Sequence, residues 1–275
     1  AANTTSITIT PGWMHQAYLK APTPDNSDLF GSAIAVNGNT AAVAAANESS
    51  NVSTITNGTT GSADNNLAGS GAVFVFTRSG STWTQEAFIK PSNSKLNNHL
   101  GKSVDISGDT LVVGASSENS NQTTITNGAP GSMDASLSGV GAAYIYVRSG
   151  TTWTEEAYIK PPTVYANLFF GIDVAIDGNT IAVGASGDQS NQTTITNGVG
   201  SGAPTATWNS GAVFVFTRSG TTWSQQAYIK PSANGNGDYF GNSVDISGDT
   251  IVASDRWEDS GAQSVTNGVA PSDNT

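Results

Sequence analysis

Residues 29–46, with the sequence LFGSAIAVNGNTAAVAAA, decide the fold because the chain contains this stretch four times. The later copies are LGKSVDISGDTLVVGAS at 100–116, FGIDVAIDGNTIAVGAS at 170–186 and FGNSVDISGDTIVAS at 240–254. The glycine of the second or third position recurs every 70 residues without drift, at Gly31, Gly101, Gly171 and Gly241. A fixed period of this kind indicates a repeat architecture.

The repeated stretch predicts two short strands joined by a tight turn. In the first half, Ile34 and Val36 alternate with small residues, as expected of a strand with one buried face. The Asn-Gly-Asn sequence at 37–39 turns the chain, and Gly38 supplies the positive φ that such a turn requires. The second half, at 41–45, is small and apolar throughout, which is typical of a strand buried on both faces.

The segments that flank this stretch complete a four-stranded meander. Residues 71–80 (GAVFVFTRSG) and 83–90 (WTQEAFIK) predict a third and an outer strand, and Pro91 stops the second of these because proline cannot continue a ladder. The long connection at 47–70 carries a Thr-Ile-Thr-Asn-Gly motif that returns in later copies. This motif predicts a small local hairpin.

The pattern as a whole predicts an all-β fold, a β-propeller of four four-stranded antiparallel blades in one domain spanning 1–275. One meander cannot bury both of its faces, whereas four copies around an axis can. The predicted divisions are an N-terminal half-blade, three blades and a C-terminal half-blade, at 1–20, 21–90, 91–160, 161–230 and 231–275.

The two half-blades are predicted to join and close the ring, because unpaired sheet edges are a liability. Strands at Ser6–Thr10 and Trp13–Lys20 would supply the third and outer strands of the last blade. The same halves could instead join between chains, as an eight-bladed dimer or an open head-to-tail fibre. A further alternative is that the 275 residues are part of a longer propeller.

Charge and composition exclude several classes of partner. The net charge is −11, and most of the ten basic residues stand at repeat positions: Lys20, Lys90, Lys160, Lys230, Arg78, Arg148 and Arg218. Nucleic acid is not expected as a partner because phosphate neutralisation needs a dense basic surface. No apolar run is long enough for membrane insertion. The acidic composition, rich in Ser, Thr and Asn, favours an extracellular location, secreted or at the cell surface.

The four copies resemble the FG-GAP repeat, the blade unit of the integrin α-subunit propeller, and are most similar to its bacterial variety. The shared pattern reads FGxSVxIxGDTxxVGA, followed by SGAVxVFTRSGxTWxxxAYIKP. The resemblance implies a propeller used for binding or adhesion outside the cell. It also implies, in some members, calcium in the linker before each inner strand. The corresponding linkers offer carboxylates only at Asp25, Asp28 and Asp238.

A second candidate metal site lies on the innermost strands. Asp105, Asp173 and Asp245 would face the axis of a ring, where they could converge on Ca²⁺ or another structural cation. The alternative is that these carboxylates bind turn hydroxyls and backbone amides.

Two groups of residues are candidates for ligand binding. Four acids open the long connections at 70-residue spacing, and they either bind ligand or cap the loop through backbone N–H groups: Glu48, Glu118, Asp188 and Glu258. Trp208, Trp257 and Arg256 have no counterpart of the same type in other copies. Exposed tryptophans could stack on a sugar ring, or they could anchor loops. The periodic tryptophans, by contrast, predict blade-to-blade core: Trp13, Trp83, Trp153 and Trp223.

Other motifs give weaker expectations. Asn121 and Asn191 begin Asn-x-Thr sequons at equivalent loop positions and are the best candidates for glycosylation. The chain has no cysteine, and its two histidines, His15 and His99, are not equivalent. No Ser-His-acid order or histidine cluster is visible, so we expect no enzymatic activity.

The sequence therefore leads to two hypotheses of function. In the first, the protein is a non-enzymatic adhesion or assembly module that recognises protein partners, or copies of itself, at a cell surface or matrix. In the second, it is a lectin that binds a glycan ligand in repeated pockets between blades or in their loops.

Overall fold

The computed structural model describes residues 14–128, 131, 134–205 and 208–257. These residues form an all-β structure built from repeated units, which we number 1 to 4 along the chain. Among them there is no helix long and apolar enough to cross a membrane.

Each of the first three units contributes five strands at equivalent positions. Unit 1 contains β1 Phe30–Asn37, β2 Thr40–Ala45, β3 Thr56–Asn57, β4 Ala72–Ser79 and β5 Thr82–Ile89. Unit 2 contains β6 Ser103–Ser107, β7 Thr110–Ala115, β8 Thr126–Asn127, β9 Ala142–Ser149 and β10 Thr152–Ile159. Unit 3 contains β11 Phe170–Asp177, β12 Thr180–Ala185, β13 Thr196–Asn197, β14 Ala212–Ser219 and β15 Thr222–Ile229. The described part of unit 4 contains β16 Val244–Ser247 and β17 Thr250–Ala253.

The predicted antiparallel meander is confirmed, but each complete sheet has five strands rather than four. In unit 1 the order is β1-β2-β4-β5-β3, and units 2 and 3 repeat it. The prediction of a local hairpin at Thr-Ile-Thr-Asn-Gly is wrong. Its Thr56 and Asn57 instead pair with Phe88 and Ala87 of the outer strand, which covers the edge of the sheet.

The second strand of each complete unit lies in the middle of the core, as its composition predicts. All six residues of β7 are buried, because the strand has neighbours in its own sheet and packs between adjacent units. Aromatic side chains of the third and outer strands pack beside it, with the Phe74 and Phe88 ring centroids 5.0 Å apart. Three of the four apolar clusters among the described residues draw from two neighbouring units, so the units are stabilised mainly by stacking.

Neighbouring units are also joined through their backbones. Gly141 forms a parallel bridge with Phe170 of the next unit, and the same bridge recurs at Gly71 and Gly211. Gly141 has a φ of +87°, and a Cβ there would overlap backbone atoms of Phe170. Only glycine satisfies both conditions.

Two of the three described periodic tryptophans, Trp153 and Trp223, are confirmed as contacts between units. Trp153 and Trp223 are buried, and Trp83 is half-buried. The indole N–H of Trp153 donates to Glu86 of unit 1 at 2.8 Å, and Arg148 donates to the same oxygen at 3.1 Å. Trp13 lies outside the described residues.

The short fifth strand explains why its motif recurs. The Asn57 side chain accepts a hydrogen bond from the Trp153 N–H at 2.8 Å and donates to its carbonyl oxygen at 3.4 Å. Asn127 bonds Trp223 in the same way. Each Thr-Ile-Thr-Asn-Gly motif of this kind therefore attaches its unit to the outer strand of the next.

The predicted outer strand at Trp13–Lys20 is not seen, since its described residues, 14–20, contain no strand. A strand needs a partner, and the expected one, Ser6–Thr10, lies outside the described residues. Gln16 nevertheless accepts hydrogen bonds from Arg78 and Trp83, both at 3.2 Å. It therefore occupies the place beside unit 1 that Glu86 occupies beside unit 2.

Candidate functional site

One end of the sheets, which we call the groove face, is formed where the inner strands begin and the second strands end. The residue before each repeated Phe-Gly or Leu-Gly pair lies here, in a tight turn with positive φ between 51° and 58°: Leu29, His99, Phe169 and Tyr239. Bulky side chains rarely adopt this conformation, and such strain concentrates at functional sites. The backbone N–H of Phe169 donates to Gly139 of the preceding unit at 2.9 Å, which holds the turn.

Grooves between neighbouring units open on this face. A cavity of about 290 Å³ between units 1 and 2 is lined by residues that include Leu29, Asn47 and His99. A larger cavity, of about 600 Å³, lies between units 2 and 3 and is lined by residues that include His99, Ser138 and Phe169. The strained side chains thus form walls of the grooves.

The predicted ligand-binding residues of the last units come together on the same face. The Trp257 ring packs edge-on against Tyr239, with centroids 5.0 Å apart, and the Arg256 guanidinium lies 5.4 Å from the Trp257 centroid. Trp208 accepts a backbone hydrogen bond from Gly237 at 2.8 Å. Trp208 and Trp257 are 68% and 60% exposed, so both side chains are open to solvent.

The acids that open the long connections lie elsewhere, inside the units. Glu118 pairs with Lys160 at 2.7 Å, and both side chains are buried. Glu48 pairs with Lys90, and Asp188 with Lys230, at 2.7 and 3.1 Å. Burial lowers the pKa of each lysine, while the neighbouring carboxylate opposes that shift.

The loop-capping interpretation of these acids therefore fits better than ligand binding. The second oxygen of Glu118 accepts the backbone N–H of Ser120 at 3.0 Å, and Glu48 and Asp188 make the equivalent bond to Ser50 and Ser190. The three carboxylates are buried and already bonded, so they face no groove. Glu258 lies outside the described residues.

Two of the three inner-strand aspartates, Asp105 and Asp173, connect neighbouring strands, whereas Asp245 accepts the N–H of Ile246 in its own strand. Asp105 accepts the N–H groups of Ile106 and of Ile176 in the next unit, at 2.8 and 2.7 Å. Asp173 likewise accepts the N–H of Val244 at 2.8 Å. Burial raises the pKa of Asp105 and Asp173, and the nearby Asp245 adds to both shifts.

The predicted convergence of carboxylates on a cation is not observed. Within the described ranges, no group of three or more His, Cys, Asp or Glu side chains is arranged to hold a metal ion. Asp105, Asp173 and Asp245 instead follow the backbone-bonding alternative, since each accepts at least one backbone N–H. The linker acids do the same: Asp28 bonds the N–H of Asp25, and Asp238 bonds that of Gly235.

The sequon asparagines lie at the surface. Asn121 and Asn191 are exposed, and their backbone N–H groups are held by Asp134 and Thr205. Glycosylation at these positions stays a prediction.

Sequence reasoning missed the four groove residues that precede the repeated Phe-Gly or Leu-Gly pairs. Leu29, His99, Phe169 and Tyr239 differ in type, so they do not stand out in a search for repeated residues. The one available signal was variation itself, because the residue directly before each Phe-Gly or Leu-Gly pair changes while the pair recurs. Sequence reasoning also missed that Trp208 is the unit 3 equivalent of Ser138, which lines the groove between units 2 and 3.

The fold and these contacts define a repeat protein with one variable face. Comparison with known families agrees with the repeat: a family model described as FG-GAP repeat matches residues 83–146, 153–216 and 223–269. These matches cover more than half of the chain, which therefore belongs to the FG-GAP repeat family. No curated protein matches the sequence.

Proposed function

We propose that the chain closes into a four-bladed β-propeller in which residues 1–20 complete unit 4. The main support is a cavity of about 500 Å³ that is lined by residues of all four units, including Ile34, Val104 and Asp173 of the inner strands and Ser243, directly before the inner strand of unit 4. We call it the axial cavity. The position of Gln16 beside unit 1 adds a second reason, because an outer strand of unit 4 would lie there in a ring.

Exposed apolar residues on units 1 and 4, at the two ends of the row of units, support closure of the ring. Ile34 is 73% exposed, whereas its equivalent Val104 is 8% exposed against unit 1. At the other end, Val252 is 66% exposed, whereas its equivalent Val112 is fully buried against unit 3. Joining units 4 and 1 would cover both surfaces.

Closure predicts that Ile34→Asp lowers the free energy of unfolding by about 2 kcal/mol or more, because a covered position would receive a charge. Val252→Asp tests the opposite end and should behave alike. Chemical denaturation measures both, and native mass measurement should give one chain, with or without a calcium chelator.

The outcomes separate the alternatives. If the mass is that of one chain and both variants lie within about 0.5 kcal/mol of the parent, these surfaces stay exposed and the ring is open. A dimer or fibre mass would assign the same surfaces to contacts between copies.

We further propose that the protein is a non-enzymatic extracellular binding module that recognises a protein partner, at a cell surface or matrix, through the groove face. One observation carries this proposal. The residues that hold the units together are nearly constant, whereas the groove-lining positions change from unit to unit. The clearest cases are the four residues before the Phe-Gly or Leu-Gly pairs and the positions equivalent to lining residues. Ala68 and Trp208 are equivalent to Ser138, and Gly187 and Trp257 are equivalent to Asn47 and Ser117.

Such variation favours one large partner over several small ones. A lectin with repeated sites would present the same lining in every groove, as the framework does. A protein surface touches different grooves with different groups, and it is usually held by a few aromatic and arginine anchors. Trp208, Trp257 and Arg256 are residues of these types, and both rings are exposed.

The lectin alternative is retained for one groove only. Trp257 lies beside Tyr239 and Arg256, and Trp208 is exposed in the same part of the chain. Their rings could stack on a sugar ring, and Arg256 could hydrogen-bond its hydroxyls. This reading predicts binding to glycans rather than proteins, and the same variants test it.

We expect the purified chain to bind an array of extracellular-matrix proteins, and Trp208→Ala or Trp257→Ala to weaken this about 30-fold, as for a 2 kcal/mol anchor. Val199→Ala serves as the control, because Val199 is 74% exposed but lines none of the described grooves. A glycan array is probed with the same samples.

Loss of binding in the tryptophan variants alone supports the proposal. Binding to glycans instead, with loss in the same variants, would replace the protein partner with a carbohydrate. Equal binding by all variants would remove the groove face from recognition.

A further inference from the structure

The mouth of the axial cavity carries an uncommon concentration of positive charge for this protein. The chain has ten basic residues and a net charge of −11. Three of these residues stand outside the repeat pattern: Lys95, Lys102 and Arg256. Two of the three, Lys102 and Arg256, line the same cavity.

The backbones of both residues are fixed, while their side chains are exposed. The Lys102 N–H donates to His99 and to Gly114, both at 3.1 Å, at the start of the inner strand of unit 2. The Arg256 N–H donates to Asp238 at 2.9 Å, directly after the second strand of unit 4. Because inner strands begin and second strands end on the groove face, both cations lie at that end of the cavity.

Neither cation is used to hold the units together. The salt bridges between described residues involve the periodic lysines and arginines, and none involves Lys102 or Arg256. The guanidinium of Arg256 instead lies over the Trp257 ring. Since a cleft concentrates the field of the charges that line it, two such cations favour an anionic ligand.

Neutral donors line the same cavity. Ser103 is 6% exposed, and its hydroxyl oxygen has no hydrogen-bond partner within the described part of the chain. A buried hydroxyl of this kind is costly unless something binds it. Asn242 adds an amide to the lining.

One acid, Asp173, also lines the cavity, but its carboxylate is already bonded. It accepts the Ser243 hydroxyl at 3.0 Å and the Val244 N–H at 2.8 Å. Burial raises the pKa of Asp173. The volume of about 500 Å³ is sufficient for a group of monosaccharide or side-chain size.

We propose that the groove-face mouth of the axial cavity binds an oxyanion group, a carboxylate or a sulfate, through Arg256 and Lys102, with Ser103 and Asn242 as further donors. This inference deepens the proposed function and rests on it, because the anion would belong to the groove-face partner. Arginine suits this role since its planar fork binds two oxygens of such a group at once.

The test titrates the full chain with sodium sulfate, sodium glucuronate and glucose at constant ionic strength, followed by NMR of the Arg256 side-chain N–H. We expect saturable binding of sulfate and glucuronate and none of glucose. Arg256→Gln and Lys102→Gln should each weaken binding roughly tenfold, as expected for loss of a charged hydrogen bond. Binding to the Lys102→Gln variant is measured through the Arg256 NMR signal, which this variant keeps. Binding to the Arg256→Gln variant, which lacks that signal, is measured by calorimetry.

Lys95→Gln is the matched control, because it also removes one non-periodic lysine but does not line the axial cavity. An equal loss in all three variants would mean non-specific charge attraction and would overturn the proposal, as would binding of glucose. Tighter binding of glucuronate than of sulfate points to a carboxylate on a sugar, and the reverse order points to a sulfate. The titration uses no macromolecule, so its failure would leave the result of the protein array standing.

Discussion

Replacing Glu118 with glutamine is expected to lower the free energy of unfolding by about 3–5 kcal/mol, because the Lys160 ammonium would stay buried without its counter-charge. Glutamine keeps the oxygen that accepts the Ser120 N–H, so the variant removes mainly the charge. The two partners lie 2.7 Å apart and are 1% and 0% exposed. Chemical denaturation measures the loss, and the melting temperature should fall by roughly 10 °C.

A second substitution shows whether the loss comes from the pair itself. In Glu118→Gln with Lys160→Met, neither charge remains, so the total loss should be smaller than the sum of the single losses by about 1–3 kcal/mol. Lys102→Met, at an exposed lysine, should stay within about 0.5 kcal/mol of the parent. Additive losses in the double variant would contradict a buried ion pair.

Gly141→Ala is expected to destabilise the chain by at least about 4 kcal/mol, since the new Cβ would overlap the backbone of Phe170 in the next unit. The φ of +87° adds strain for any residue with a side chain. The contact joins units 2 and 3, so relief would require the units to separate. Unfolding in denaturant measures the loss of free energy, and a variant that no longer folds would show no cooperative unfolding transition.

Gly150→Ala is the matched control for this substitution. Gly150 also has a positive φ, of +64°, but a Cβ there meets no atom within 4 Å. Its expected cost is only the conformational one, about 1–2 kcal/mol. Equal losses at 141 and 150 would mean that the close approach between units contributes nothing.

Sequence reasoning predicted the strands well because their signal is repeated. The alternation around Ile34 and Val36, the Gly38 turn and the apolar run at 41–45 each recur at the same spacing, so a chance pattern was excluded. The structure confirms this order in three units and its first half in a fourth. The short strand Thr56–Asn57 was missed because two residues have no periodicity.

The roles of the charged residues were harder to predict. Glu48 and Lys90 are 42 residues apart, and the same spacing recurs for Glu118 with Lys160, which was a usable sign of pairing. The acids were compared only with one another, so their constant spacing from the lysines was not recognised. Asp105 was placed near the axis, but whether it binds a cation or the Ile176 N–H depends on the distance between neighbouring units, and no sequence pattern encodes that distance.

The groove face was predictable only in part, for a physical reason. Trp208, Trp257 and Arg256 stood out because they broke the pattern. Phe169 and Tyr239 did not, because the turn that holds them is fixed by backbone hydrogen bonds, which do not require one particular side chain. A position whose structural work is done by the backbone leaves no mark on the identity of its side chain.

That same turn has a consequence for how such a protein can evolve. Its backbone bonds join the units, while its side chain is left to vary, and the four copies already hold leucine, histidine, phenylalanine and tyrosine. Exchange among such side chains leaves the backbone hydrogen bonds of the turn in place. Duplication of one 70-residue unit would then add a complete set of strands together with one more variable residue on the groove face. Recognition of new partners could arise by gene duplication and drift at these positions, while the framework residues stay under selection for stability.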